Sequence, residues 1–545
     1  MRRLLPTFRL LALVALAGSS ARCGGGESRE EPAEPAATPT PAPALRVVAL
    51  TDLQGYLEPC GCSQNMLGGI DRFAARVRAL QAEAPTLFVA AGDLFFGPEA
   101  HGGPTAEDAA RWRGETIRDV LGGLGLAAVA PGAEDLAHPA ALAVLMEDAA
   151  FPLLGVAPEP GGADADDTEE GAPDVTLTPT SLATVGDRTI GILGVTPGAG
   201  DLPGAARAAA ESLRAQGATL VVALVSGDRR LARDVLAASD AALVVQGGIG
   251  RADAMPPSRE GSGWIVHGGR QGQGVLVADL HRPGAEGEAT DLSAWSVEVD
   301  AASLDEEIAS LTERLRGWEA EGRTGPAIDR QRARLAALEA ERAGLAPPPF
   351  PAEGPAFEGR WIALGDDAPK DAAVGERLRT LDRRINAHNR EAFAERRPPE
   401  VTAGRAGYVG SASCQSCHGE AYAWWQGTPH GRAYATLTEL DKEFHLDCVG
   451  CHVTGYERPG GSTVTWNLEG ALVNVGCETC HGPGSLHVRA PTAHALPAEA
   501  PESLCVSCHN EEHSTGFVYA GYSAMLRAPG HGLPSARAAT DETAE

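Results

Sequence analysis

The chain has 545 residues, 22% of them charged, and a formal net charge of -28 at pH 7. That length leaves room for two to four domains. The acidic balance excludes a nucleic-acid surface, which needs clustered Lys and Arg against phosphate; Arg379, Arg383 and Arg384 have acids nearby and read as a solvated helix face. Met1 to Ala21 has the form of a secretory signal, with Arg2, Arg3 and Arg9 ahead of the apolar run Leu10 to Ala17 and small residues after it. Cys23 stands where a bacterial lipoprotein is acylated, and a Pro/Ala/Glu-rich tether follows to Ala44. Ser20 and Arg22 depart from the usual acylation signal, so lipid anchoring and simple signal cleavage both stay open. No later run reaches the roughly 18 apolar residues that a bilayer-spanning helix needs.

From Leu45 to about Asp300, short β-branched runs alternate with helical stretches. Val47–Thr51, Thr86–Ala91, Leu220–Val225 and Ala242–Val245 read as buried strands. Ile70, Phe73, Ala74, Val77 and Leu80 recur at helical period between the first two, giving one apolar helix face. The order is that of an α/β domain. Thr51-Asp52-Leu53-Gln54-Gly55, Ala91-Gly92-Asp93, Gly132-Ala133-Glu134-Asp135 and Gly247-Gly248-Ile249-Gly250-Arg251 stand at strand ends. In order and spacing they resemble the metal-binding motifs of the 5'-nucleotidase-type metallophosphoesterases. The resemblance implies an α/β sandwich over residues 45–300 and, in a complete family site, two divalent metals that activate a water for hydrolysis. Asp52 and Asp93 match ligand positions. Gln54, Ala133, Glu134, Ser226, Ile249 and Arg251 occupy places where the family has His or Asn, and an amide, a methyl, an aliphatic chain or a fixed cation does not replace imidazole. The expectation is a degenerate domain used for docking, with hydrolysis at a modified metal site as an alternative.

Cys60-Gly61-Cys62 follows the first motif and puts two thiols near that site. A local disulfide or two packed thiols is one reading, and a redox or soft-metal site is the other. His267 and His281 read as ordinary surface or core histidines. Ser303-Leu304-Asp305-Glu306 has the form of a capping box, and Leu304, Ile308, Leu311, Leu315 and Trp318 continue at helical spacing. After the Gly322–Pro326 break, Ile328, Leu335, Leu338 and Leu345 repeat the pattern, which predicts a helical hairpin over 301–347. Residues 348–405 read as a partly ordered bridge with a helix around Val374 to Phe393, serving spacing and docking.

The densest chemistry is C-terminal. Cys414/Cys417/His418, Cys448/Cys451/His452, Cys477/Cys480/His481 and Cys505/Cys508/His509 are four Cys-x-x-Cys-His motifs. Two thiols a helical turn apart can form thioethers to the two vinyl groups of a haem, and the adjacent imidazole then reaches its iron. Structural zinc is the alternative for paired cysteines, but it does not require a histidine after every pair. Four covalently attached haem c groups are therefore expected in residues 406–535, a body with a radius of gyration of roughly 14 Å, ahead of a tail at 536–545. The further histidines are His430, His445, His487, His494, His513 and His531, and the segment has one methionine, Met525. At most one haem can have a Met ligand, so bis-His or open coordination dominates and low potentials follow.

Ser413–His418, Ala423-Trp424-Trp425, Thr428-Pro429-His430, Cys448–His452 and Val475–Gly484 are similar to the tetrahaem cytochrome c that accepts electrons from hydroxylamine oxidoreductase. That family implies a mostly α and irregular fold. It also implies distal ligands at His430 and His487, with His531 as a further candidate, and one haem without a strong distal ligand. The leading expectation is an exported, periplasmic or envelope electron-transfer protein that docks a redox partner. A haem oxidoreductase acting on a small nitrogen or sulfur compound is the competing reading. From 406 to 545 there are 6 Lys/Arg against 15 Asp/Glu, a balance of -9 that suits a basic partner surface.

Overall fold

The computed structural model describes residues 41–533 except 60–65, 98–103, 157–174, 251, 347, 467–469, 511–513 and 515–516. The signal, most of the tether with Cys23, Cys60, Cys62, Arg251, His513 and the tail lie outside the described residues.

In chain order the first half runs β1 (Leu45–Thr51), α1 (Ile70–Glu83), β2 (Thr86–Gly92), α2 (Pro104–Gly123), β3 (Leu126–Pro131), α3 (Ala133–Leu136) and α4 (Pro139–Met146). It continues with β4 (Thr180–Val185), β5 (Arg188–Val195), α5 (Leu202–Ala215), β6 (Leu220–Ser226), α6 (Arg229–Ser239) and β7 (Leu243–Gly247). After these come β8 (Met255–Glu260), β9 (Gly263–His267), β10 (Gly274–His281), β11 (Thr290–Asp291), α7 (Ala294–Ala320), α8 (Pro326–Gly344), β12 (Ala356–Ala363) and α9 (Ala372–Ala392). The strands form two six-stranded mixed sheets, β11-β12-β10-β1-β2-β3 and β4-β5-β6-β7-β9-β8.

Side-chain alternation along the strands builds the layers. Leu45, Val47 and Ala49 of β1 and Leu220, Val222 and Leu224 of β6 share one core between the sheets. Val48 and Leu50 turn to the other face, under α1, α2 and α9. Val221, Ala223 and Val225 turn outward under α5 and α6. Both faces of the central strands are thus buried, which is why these strands read as continuous apolar runs. The α/β sandwich expected from the sequence is present.

Two elements differ from the sequence reading. α7 begins at Ala294, well before the Ser303 capping box. There the Ser293 hydroxyl accepts the Gly359 N–H at 2.8 Å and Trp295 stacks on Trp361, so tertiary contact outweighs the local cap signal. The hairpin core itself is as expected, with Leu311, Leu315, Ile328 and Leu338 buried. Within residues 348–405, β12 pairs antiparallel with β10 over its whole length, and α9 places Val374, Leu378, Leu381 and Ile385 in the core of the first sheet. The stretch read as a bridge supplies a strand and a helix to the sandwich.

The C-terminal module consists of short helices: α10 (Gly419–Gln426), α11 (Ala433–Thr438), α12 (Leu446–His452), α13 (Cys477–His481), α14 (Ser485–Arg489), α15 (Glu502–Cys505) and α16 (Tyr519–Met525). Its apolar cluster is small: Val449, Val453 and Val464 are buried, with Phe393, Tyr434, Phe444, Leu446, Tyr456 and Val473 packed around them.

Candidate functional site

Each Cys-x-x-Cys-His motif forms or joins a helical turn. α12 and α13 contain the second and third motifs. In the first and fourth, the histidine N–H closes a turn on the carbonyl of the first cysteine, His418 to Cys414 at 2.9 Å and His509 to Cys505 at 2.8 Å. The geometry brings the motifs together in pairs. The Cys414 thiol interacts with that of Cys477, and the Cys508 thiol with that of Cys451. Cys480 lies within electrostatic reach of Cys505 and Cys508. The spatial order is first, third, fourth, second.

Three motif imidazoles face three imidazoles from elsewhere. Ring centroids are 6.4 Å apart for His418 and His487, 6.1 Å for His481 and His531, and 6.1 Å for His509 and His430. With metal–nitrogen bonds of roughly 2 Å on each side, two axial imidazoles on one iron stand about 6 Å apart between ring centres. Several rings are also fixed from behind. Nδ1 of His452 donates to the Ala433 carbonyl (2.6 Å), His481 to Pro497 (2.7 Å), His487 to His494 (2.9 Å) and His531 to Leu526 (2.5 Å). A carbonyl only accepts, so Nδ1 carries the proton and Nε2 keeps its lone pair, the tautomer of a metal-ligating histidine. Burial and the facing His509 hold His430 below the usual histidine range, favouring the neutral form that a metal requires. These residues fit haem.

Sequence reasoning did not single out Glu478, which sits between the two cysteines of the third motif. It is buried, and its carboxylate accepts N–H groups from Val409, Gly410 and Gly484 at 2.6–3.1 Å, tying the segment before the first motif to the third. Trp424 stacks on His531 at 4.6 Å, and Trp425 donates to the Val475 carbonyl at 2.9 Å. Of the other histidines, His445 is buried with its Nε2 3.2 Å from the Asp382 carbonyl, and His494 is exposed.

In the first domain the strand-end residues converge where β1, β2, β3, β6 and β7 end, the usual place for a site in such a sheet. Asp52 Oδ1 accepts the N–H groups of Asp93 (3.1 Å) and Gly248 (2.8 Å). Asp93 Oδ1 accepts Glu134 N–H (2.8 Å) and lies 3.4 Å from Asp135 N. Asp135, fully buried, accepts those of Leu94, Phe95 and Phe96 at 2.7–2.9 Å. Ser226 Oγ accepts Gly92 N–H and donates to the Ala130 carbonyl. A Cβ at Gly92 would come 2.1 Å from Asp52 Oδ1, so only glycine fits that approach. Asp52 and Gln54 themselves take left-handed backbone, φ 44° and 55°, a conformation that costs free energy and concentrates at sites. Burial raises the Asp52 and Asp135 carboxyls to about 7, against the opposing pull of their N–H donors, and raises Asp93 as well. His267 and His281 are both buried. Among the described residues no group of three or more His, Cys, Asp or Glu is placed to hold a metal ion.

Residues 413–482 match the family model described as cytochrome c554 and c-prime. The C-terminal module is cytochrome c554-like. Over 94 residues it is 37% identical to cytochrome c-554 of Nitrosomonas europaea, a match covering 14% of this chain and 40% of that protein. The chain therefore spans less than half the length of this curated relative. The family-model match takes in the first three Cys-x-x-Cys-His motifs. It ends at residue 482, so His418, His430 and His481 lie inside it and their facing partners His487, His509 and His531 lie beyond it. Among solved structures, the chain is similar to a 5'-nucleotidase precursor from Thermus thermophilus (18% identity, TM-score 0.41, 65% of this chain and 61% of that one). It is also similar to a calcineurin-like phosphoesterase from Bacillus subtilis (13%, 0.41, 63% and 98%). No helix among the described residues is long and apolar enough to cross a membrane.

Proposed function

We propose that this chain is an exported electron-transfer protein with four covalently attached haem c groups. Cys414, Cys417 and His418 hold the first with His487 opposite; Cys448, Cys451 and His452 hold the second; Cys477, Cys480 and His481 hold the third with His531; and Cys505, Cys508 and His509 hold the fourth with His430. The observation that carries this reading is the set of three facing imidazole pairs at 6.1–6.4 Å, each joining one motif histidine to one histidine outside the motifs. Bound haem iron supplies one-electron chemistry at low potential when both axial ligands are imidazole. The protein's own contribution is to fix imidazole direction through carbonyls, to keep the motifs in contact in the order first, third, fourth, second, and to present an acidic surface that speeds encounter with a basic partner. Export follows from the signal at 1–22, with Cys23 as the candidate site of a lipid anchor to the cell envelope and simple signal cleavage as the alternative.

The first domain has no hydrolytic role in this reading. Its strand-end residues do not fit a two-metal centre, because the amide of Gln54, the methyl of Ala133 and the aliphatic chain of Ile249 stand at ligand positions. Its role is docking.

Mass spectrometry of the mature protein tests the haem reading: the expected result is four added tetrapyrroles, and free or zinc-bound thiols overturn it. Absorption and EPR spectra then test ligation, since three low-spin bis-imidazole haems are expected. Ligand binding at an open iron together with turnover of a small nitrogen or sulfur compound would favour an oxidoreductase over a carrier. Metal analysis is the test of the first domain, where two bound Mn, Zn or Fe ions beyond haem would contradict the docking role.

A further inference from the structure

The second motif is gripped by the sandwich domain. α9 buries an apolar face in the first core and turns Asp382, Asn386 and Asn389 toward residues 441–447. Asn389 Nδ2 donates to the Phe444 carbonyl at 2.9 Å, and Asn386 Oδ1 accepts the Phe444 N–H at 2.8 Å. Arg113 on α2 meets Asp447 at 2.5 Å. His445 is the N-cap of α12, and the Cys448 N–H donates to its carbonyl at 3.1 Å, so one residue separates α9 from a haem-attaching cysteine.

The centre of this junction is charged and buried. The Asp382 carboxylate lies 3.7 Å from Lys442 Nζ and 4.0 Å from His445 Nε2. Lys442 also pairs with Glu58, and Cys448 is within its electrostatic reach. Asp382 further faces Arg113 on α2, Arg383 on its own helix and Asp441 in the loop before α12, with Asp447 on α12 beyond Lys442. Burial away from water makes such a carboxyl sensitive to any charge added nearby.

We propose that Asp382 is a positioning residue of the second haem-binding motif that couples a proton to the electron stored there. With haem bound at the second motif, one electron supplied by an external one-electron donor would be accompanied by one proton from bulk water on a carboxylate oxygen of Asp382, and both would leave on reoxidation. This rests on the haem reading above. Burial, opposed by Arg113, puts the Asp382 carboxyl at about 7, whereas burial drives His445 down to about 4 and lowers Lys442. Asp382 is thus the member of the cluster that changes charge near neutrality. Added negative charge raises its proton affinity further, so the potential of the second haem falls as pH rises above that value.

The test is a spectroelectrochemical titration of the full haem-loaded protein across pH 7, with dithionite as reductant. Haem content is first checked by mass, so absence of haem, which defeats the parent reading, is recognised before any potential is measured. One of the four one-electron steps is expected to move to lower potential as pH rises. Asp382→Asn should abolish that movement, Asp382→Glu should retain it, and Glu376→Gln, on the exposed face of the same helix, should leave it unaltered. A pH dependence that survives Asp382→Asn, or its absence from every step in the parent protein, overturns the proposal. If Asp382→Asn does not retain the second haem, Asp382→Glu decides: its pH midpoint must shift with the changed carboxyl, and an unchanged midpoint overturns the proposal.

Discussion

At the scale of single residues, the carboxylates of the first domain hold backbone. Asp135 serves three N–H donors of the loop after β2 while completely buried. Asp135→Ala leaves those donors without their acceptor and should cost on the order of 3 kcal/mol or more, read as a fall in the sandwich's melting temperature. The pH dependence has a definite sign. Asp52 and Asp135 bind protons more tightly folded, at about 7, than unfolded, so the native state holds more protons between the two values. Their contribution is fullest below the unfolded value and declines as pH rises toward 7, by about 1.4 kcal/mol per pH unit for each. Asp52→Asn should remove its share of that slope in denaturant titrations at several pH values. In the haem module, His487→Ala takes away the imidazole that faces His418, and the expected outcome is conversion of one low-spin haem to a high-spin form in the EPR spectrum.

At the scale of elements, α9 is the piece shared by both halves. Its apolar face is part of the core of the first sheet, and its C-terminal Phe393 belongs to the cluster under the second motif. Leu378→Ala opens a cavity on the first side only and should cost about 2–5 kcal/mol. Because the same helix fixes residues 441–447, that variant should also broaden the haem spectrum, and an unchanged spectrum would show that the two halves are mechanically independent. The helical pattern of this segment was legible. Its partners were not, because a strand such as β12 is specified by the edge it completes on β10, which lies over 70 residues earlier in the chain.

At the scale of the whole molecule, the two halves are stabilised by different means. The sandwich has three large apolar clusters, whereas the C-terminal module has three buried valines and thiols that are exposed or half-buried. Replacing all eight motif cysteines by alanine should therefore leave a protease-resistant sandwich and a digested module, as read by limited proteolysis and mass. The sequence by itself determined the four Cys-x-x-Cys-His motifs and the central strands, because that spacing is local and fully buried strands are written as apolar runs. Only the tertiary structure decided which distant histidines face which motifs, that backbone donors engage the strand-end carboxylates, and that α9 clamps the second motif. Those outcomes depend on contacts between residues far apart in the chain, for which no local spacing exists to be read.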